Sequence, residues 1–463
     1  MFDVVGKRIH IIGLGAKGTG SACARVLGAR GALITISDGK TPEELADEVA
    51  KLDGLAVRLQ LGPEEAYRDI ERADLVVPSP GVPLAIPPIQ RAMQAGVPVL
   101  SEIELAYRIA RAPIVAITGT KGKTTTTTLI GLLLEALGQP ARVGGNIGLP
   151  LIALAAEAGP EEILVAEVSS FQLEAIEEFH PRVAVFTNLY PDHLDRYEES
   201  MELYLAAKLN LFRNQTAEDF TVVNADRPES ARVEAVTRAK VIRTSMYEKM
   251  PGGVYVEGGR IVSEVQGSPM PIMPCDVLRL RGEHNLSNAL EAIAALAALG
   301  LPVERVAEQV LSTFRGVPNR LEEVDTVNGV TFFNDSQGTT PAAVRMALQA
   351  FAATPPVLIA GGRAKIADFA ELGADITRYA RALIVIGEAA DSIARAIRQA
   401  DPAFTIHHAD TLPDAVRLAY ELAQPEGVVL LSPACASFDM FRNMEHRGEV
   451  FRQAVAELKH AKE

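Results

Sequence analysis

At 463 residues the chain is too long for a single hydrophobic core, and two to four domains are expected. A hydrophobic content of 48%, no Trp and a net charge of −14 describe an acidic globular protein. That balance argues against non-specific binding to nucleic acid or to an anionic membrane, although it leaves room for a local basic pocket. Cys23, Cys275 and Cys435 are far apart and show no metal spacing, so they read as reduced thiols. No apolar run approaches the ~20 residues that span a bilayer, and the N-terminus enters a strand without a signal-peptide layout. The expectation is a cytoplasmic protein.

Short apolar runs at 8–12, 33–37, 75–78 and 98–100 alternate with helical patterns, which implies a parallel sheet in the first 111 residues. Gly13-Leu14-Gly15-Ala16-Lys17-Gly18 follows the first run and opens a helix, and Asp38 ends the second run. Glycines at that spacing admit a diphosphate close to the backbone, and the acid suits a ribose. The pattern fits an NAD-dependent oxidoreductase, any other nucleotide-diphosphate site, or a plain connecting turn. Ser79-Pro80-Gly81 adds a second turn at the same edge of the sheet.

Arg111-Ala112-Pro113 reads as a hinge into a second unit with strands expected at 114–117, 163–168, 183–187 and 220–223. The first of these strands ends in Thr118-Gly119-Thr120-Lys121-Gly122-Lys123-Thr124, followed by a run of Thr. Gly119 and Gly122 let backbone N–H groups converge on an anion at a helix N-terminus. Lys123 would reach the β- and γ-phosphates, and the Thr124 hydroxyl would sit on Mg²⁺. The eight-residue phosphate-loop pattern fails only at its first position, where Ile117 replaces glycine. An ordinary glycine turn is the competing account, but a β-branched run is a poor way to begin a helix for stability alone.

Glu167 ends the next strand and is placed to hold Mg²⁺. His193 follows a further strand, flanked by Asp192 and Asp195. The loop at 144–148, carrying Asn146, either sets an amide beside a ligand or merely turns the chain. Lys208, on a helix starting near Ser200, could serve a metal only with its charge reversed, as in a carbamate formed with CO₂. The segment 252–280, rich in Gly and Pro with short runs at 254–256 and 260–262, reads as a small β insertion. Helices are expected at 285–299 and 303–314. Beyond Gly316-Val317-Pro318, runs at 330–333, 357–360, 382–386 and 428–431 form a third α/β unit.

In order along the chain, T-G-T-K-G-K-T (118–124), G-G-N-I-G (144–148), E-V-S-S-F-Q-L-E (167–174), N-L-Y-P-D-H-L-D-R-Y (188–197), A-K-L-N (207–210), H-N-L-S-N-A-L (284–290), N-R-L-E (319–322), N-D-S (334–336) and S-P-A-C-A-S-F-D-M-F (432–441) resemble the Mur ligase family, nearest its glutamate-adding branch. The resemblance spans essentially the whole chain. It implies an α/β fold of three domains: a Rossmann-like UDP-binding domain (1–111), a central P-loop ATPase-type domain with a parallel sheet and small β insertion (112–316), and a Rossmann-like C-terminal domain (317–463). It also implies a cytoplasmic, monomeric enzyme using ATP and two Mg²⁺ ions to join D-glutamate to UDP-N-acetylmuramoyl-L-alanine through an acyl phosphate.

By that resemblance Ala16, Lys17, Asp38, Ser79, Pro80 and Gly81 lie near UDP, and Asn146 and His193 touch the nucleotide-sugar substrate. Gly119, Thr120, Lys121, Gly122, Lys123, Thr124 and Thr125 cradle ATP, with Asn288, Arg320 and Asp335 on its adenine and ribose side. Thr124 and Glu167 hold one Mg²⁺, and His193 and carbamylated Lys208 the other. Lys123, Glu167, His193 and Lys208 form the catalytic set. Thr339, Lys365, Ser437 and Phe438 match positions around the incoming glutamate.

Three departures bear on the acceptor. Lys121 stands where the family usually has Asn, Gln337-Gly338-Thr339-Thr340 replaces a frequent Lys-Ala-Thr-Asn, and Met444 stands where Phe is common. Losing the lysine removes a fixed charge that Lys121 partly replaces, on this reading, and L-glutamate remains an alternative acceptor. A dehydrogenase and a non-catalytic nucleotide-binding protein are the rival classes. The first is opposed by the phosphate loop, the second by retention of Thr124, Glu167, His193 and Lys208.

Overall fold

The structure, a computed structural model, describes residues 2–14, 18–63, 66–280, 282–364 and 368–460. The chain forms two compact units, one ending at Phe314 and the other beginning at Arg315. The first unit contains two sheets and the second contains one.

The N-terminal sheet consists of β1 (Arg8–Ile12), β2 (Leu33–Asp38), β3 (Val57–Leu61) and β4 (Leu75–Pro78), all parallel in the order β3-β2-β1-β4. β1, inside the sheet, is buried past its exposed Arg8, and β4 is buried at all four positions, its outer side carrying only a bridge to Val99. The edge strand β3 alternates Val and Leu with Arg58 and Gln60, which weakens its signal in the sequence. The expected strand at 98–100 reduces to a single bridge between Val76 and Val99. Pro98 has no N–H to extend that ladder.

The central sheet has nine strands: β5 (Ile114–Thr118), β6 (Ala141–Gly145), β7 (Ile163–Glu167), β8 (Val183–Phe186), β9 (Phe220–Asn224), β10 (Lys240–Ser245), β11 (Val254–Glu257), β12 (Arg260–Ser263) and β13 (Met270–Pro274). Their order is β13-β12-β11-β10-β9-β8-β5-β7-β6. The β segment expected as an insertion at 252–280 is therefore continuous with this sheet. β11 pairs parallel with β10, and β12 and β13 fold back antiparallel. Helix Glu283–Ala298 is buried along almost its whole length, whereas the pattern at 303–314 breaks into a 3-10 turn, Val303–Arg305, and a helix, Ala307–Thr313.

The two sheets of the first unit are joined by buried polar bonds. Glu104 accepts the backbone N–H groups of Glu177, Glu178 and Phe179, and the Ser101 N–H donates to the Ala175 carbonyl.

The second unit is built on β14 (Glu322–Val327), β15 (Val330–Asn334), β16 (Val357–Gly361), β17 (Ala382–Ile386), β18 (Ile406–His408) and β19 (Gly427–Leu431), in the order β14-β15-β19-β16-β17-β18. β14 pairs antiparallel with β15 through an Asn328-Gly329 turn, both residues at positive φ. All the other pairs are parallel.

Candidate active site

The loops at the carboxyl ends of β5, β7 and β8 meet, as an open parallel sheet requires of a ligand edge. After β5 the chain turns through Gly119 (φ 142°) and Gly122 (φ 82°) into helix Lys123–Ala136. A Cβ on Gly119 would lie 2.0 Å from Thr187 Oγ1, and one on Gly122 would lie 2.3 Å from Asn288 Oδ1. Glycine is required at both places on backbone and space alike.

The residues after β8 clamp this turn. Thr187 Oγ1 and Asn188 Nδ2 both donate to the Lys121 carbonyl, at 2.6 and 3.0 Å. Asn188 Oδ1 accepts from the Lys121 N–H, and the Asn188 carbonyl accepts from the Thr120 N–H. The Lys121 side chain reaches outward to Asp192 at 3.7 Å, and the Lys123 ammonium bonds the Thr120 carbonyl at 2.9 Å.

Buried Glu167 is the centre of the polar cluster. Its Oε2 accepts from Thr124 Oγ1 at 2.6 Å and its Oε1 from Asn146 Nδ2 at 2.8 Å. Glu167 ends β7, while Thr124 and Asn146 follow β5 and β6, its two neighbours, so the order of the sheet itself assembles them. Lys208, only 1% exposed, donates to the Gly119 carbonyl at 2.7 Å and lies 4.4 Å over the Tyr204 ring. Burial first, and the charge of Lys123 next, push its pKa well below the usual lysine value. His193 is exposed, with Nε2 3.8 Å from Asp192 and its ring 5.0 Å from Phe171.

On the N-terminal sheet the Asp38 carboxylate accepts from the Leu14 N–H at 3.2 Å, and Ser79 Oγ donates to the Gly13 carbonyl at 2.6 Å. Gly13, Asp38 and the 79–81 turn therefore form one cluster. Ala16 and Lys17 lie outside the described residues, as does Lys365.

In the second unit Asp335 Oδ2 accepts from Ser432 Oγ at 2.6 Å and Oδ1 from the Leu321 N–H. Burial raises this carboxyl to about 6. Arg447 is fully buried and bonds Ser336 and the Cys435 carbonyl, while Ser336 Oγ donates to the Met444 carbonyl. The loop after Asp335 turns back on itself, the Gly338 N–H donating to the Asp335 carbonyl, the Thr339 N–H to that of Gln337 and the Gln337 N–H to that of Asn319. Arg320 and Phe438 are exposed and Ser437 is buried.

The Mur ligase middle domain matches residues 117–296, the glutamate ligase domain of the same family 319–435, and a MurD-like N-terminal domain 7–101. The chain is 45% identical to a UDP-N-acetylmuramoylalanine–D-glutamate ligase of Pelotomaculum thermopropionicum, over 99% of both chains. A protein of the same name from Caldanaerobacter subterraneus is 42% identical over 98% of this chain and 99% of its own. The chain belongs to the Mur ligase family. A solved UDP-N-acetylmuramate-alanine ligase from Thermotoga maritima shares the fold, with a TM-score of 0.53 at 21% identity, over 97% of this chain and 99% of that one.

As in other Mur ligases, the fold is three α/β domains, and the chain is an ATP-dependent ligase. Thr124, Glu167 and Asn146 come together as oxygen-rich neighbours of the phosphate loop, a donor set suited to Mg²⁺. Among the described residues no three His, Cys, Asp or Glu side chains cluster as a metal site. No helix among them is long and apolar enough to cross a membrane.

Some contacts packed around the phosphate loop leave no mark in the sequence. Thr187 closes an expected strand and Asn188 opens the 188–197 motif, and neither position announces the clamp on the Lys121 carbonyl. Glu291, fully buried between Thr126 and Ser287 and raised to about 8 by that burial, leaves no signal in a helix of Ala and Leu.

Proposed function

We propose that this Mur ligase uses ATP to join D-glutamate to UDP-N-acetylmuramoyl-L-alanine in the cytoplasm, acting as a monomer in peptidoglycan precursor synthesis. The observation that carries the reading is the Thr124–Glu167–Asn146 set, gathered from the ends of three adjacent strands beside the phosphate loop. The near-complete match to relatives named for that reaction supports it.

On this reading the domains run 1–111, 112–316 and 317–463. Asp38 and Ser79-Pro80-Gly81 hold UDP, with Ala16 and Lys17 assigned there from sequence alone. Asn146 and His193 orient the substrate. Gly119, Thr120, Lys121, Gly122, Lys123, Thr124 and Thr125 bind the ATP phosphates, with Asn288, Arg320 and Asp335 assigned to its nucleoside. Thr339, Lys365, Ser437 and Phe438 are assigned to the glutamate.

A carboxylate is a poor electrophile, so its oxygen must first become a leaving group. The alanyl carboxylate attacks the γ-phosphorus, ADP departs, and an acyl phosphate remains. The neutral glutamate amine then attacks the acyl carbon, and as the tetrahedral intermediate collapses the C–O bond to phosphate breaks and the nitrogen's surplus proton leaves with the phosphate. Lys123 and the loop N–H groups orient the triphosphate. Thr124 and Glu167 would hold one Mg²⁺, and His193 and carbamylated Lys208 a second. When bound, these ions neutralise charge converging from carboxylate and triphosphate. Carbamate formation consumes a neutral amine, and the burial of Lys208 beside Lys123 favours that form.

L-glutamate is the alternative acceptor that the Gln337-Gly338 departure raises. A Cβ on Gly338, where the family often carries Ala, would lie 2.3 Å from Asp335 Oδ2 and 2.6 Å from Ser432 Oγ. The Gln337-Gly338 pair thus accompanies a local packing that alanine does not fit. Phosphate release with the UDP substrate and each glutamate enantiomer is the test. Turnover with D-glutamate alone supports the reading, turnover with L-glutamate moves specificity to this loop, and turnover with neither overturns the ligase assignment.

A further inference from the structure

Arg196 is absent from the roles assigned above, yet its guanidinium is held by four directed bonds. It lies one 3-10 turn after His193, with a side chain only 12% exposed. Its Nη1 donates to the Pro80 carbonyl at 3.2 Å and its Nη2 to the Val82 carbonyl at 3.3 Å. The same guanidinium forks onto Glu174, at 3.0 Å through Nε and 2.7 Å through Nη2. Its flat face lies 4.3 Å over the Phe171 ring, whose edge-on partner at 5.0 Å is His193. Glu174 also accepts from the Tyr197 hydroxyl at 2.7 Å, and the Tyr197 ring stands 5.3 Å from that of Tyr204. Tyr204 in turn carries the Lys208 ammonium over its face and meets Thr120 through its hydroxyl at 3.3 Å.

We infer that Arg196 is a positioning residue that couples occupancy of the 79–82 turn to the placement of His193. The turn belongs to the N-terminal sheet and is closed by the Val82 N–H on the Ser79 carbonyl. Two of its carbonyls are spent on one guanidinium, so the turn cannot shift without moving that group. A guanidinium so held moves as a rigid plate, and Phe171 follows through its stack. Lysine cannot reproduce this, because an ammonium lacks both the fork and the flat face.

The coupling rests on the reading of the 79–81 turn as a UDP site, and the test separates the two. The chain contains no Trp, so Phe171→Trp installs a single indole emitter against Arg196 and His193. UDP is titrated into this variant and into Phe171→Trp/Arg196→Lys, by fluorescence and by calorimetry. The expected result is a shift of the introduced indole's emission on UDP binding in the first protein. In the second, UDP binds about tenfold more weakly, as for the loss of one directed bond, and at saturation the emission does not move. Should Arg196→Lys not fold, Glu174→Gln, which releases the guanidinium from its fork, takes its place with the same expected loss. An emission shift that persists in the lysine or glutamine background overturns the coupling, as does calorimetric UDP binding to Phe171→Trp without any shift. No UDP binding to the wild-type chain overturns the UDP assignment, and the coupling falls with it.

Discussion

The Thr124 hydroxyl donates to Glu167 Oε2 across 2.6 Å, joining two residues 43 positions apart in the chain. On its other oxygen Glu167 accepts from Asn146. A carboxylate can accept on both sides, whereas an amide offers one acceptor and one donor. Glu167→Gln can keep both contacts, its amide oxygen accepting from Asn146 and its amide nitrogen donating to the Thr124 hydroxyl, so the cost in stability is small. It removes the charge meant for a cation. The expected outcome is a loss of at least about 100-fold in kcat with a fall of only a few degrees in Tm, read by phosphate release and thermal melting.

Gly119→Ala tests the loop itself. The new Cβ meets Thr187 Oγ1 at 2.0 Å on a backbone at φ 142°, so the loop must open. Destabilisation of about 2–4 kcal/mol and loss of ATP binding are expected, measured by denaturant titration and nucleotide calorimetry. Removing the obstructing hydroxyl in Gly119→Ala/Thr187→Ala recovers part of the stability. Equal stability of the two proteins would show that the close approach is not what demands glycine.

Lys208 is nearly solvent-free and bonds the Gly119 carbonyl at 2.7 Å. Lys208→Ala is expected to retain less than about 1% of turnover, an effect of about 3 kcal/mol on the barrier. If the working form is a carbamate, formate or acetate restores part of the rate by supplying the missing carboxylate. Unchanged turnover without additive would remove Lys208 from the site.

Glu291 supplies a pH-dependent stability. Burial raises its carboxyl to about 8, so the folded chain keeps a proton that the unfolded chain loses near 4.5. The contribution is complete below pH 4.5 and is lost as pH rises through about 8. Compared with Glu291→Gln, the wild type should lose on the order of a few kcal/mol across that window, and the two should respond alike below it. Parallel urea titrations from about pH 4 to about pH 9 read the difference, and a constant offset would exclude the titration of Glu291.

The strands that enclose the site were legible because they are buried on both faces. The runs beginning at Ile114, Ile163 and Val183 admit almost no polar residue, and hydrophobic continuity identified them. Edge and hairpin strands were not legible in the same way. Glu322–Val327 is half acidic and partly exposed, so no apolar period marks it. The segment from 252 read as an insertion because its turns are local, whereas its pairing with Lys240–Ser245 is a tertiary fact.

Composition and motif order determined the family, the three α/β units and the chemical identity of the phosphate loop, since backbone turns and anion contacts are encoded within a few neighbouring residues. Only the tertiary structure decided which side chains meet. The order β5-β7-β6 brings Thr124, Glu167 and Asn146 into one set. Helix packing buries Glu291 against Thr126, and Arg196 reaches a turn 116 positions away. Hydrogen bonds and burial depend on distances through space, and separation along the chain carries no record of them.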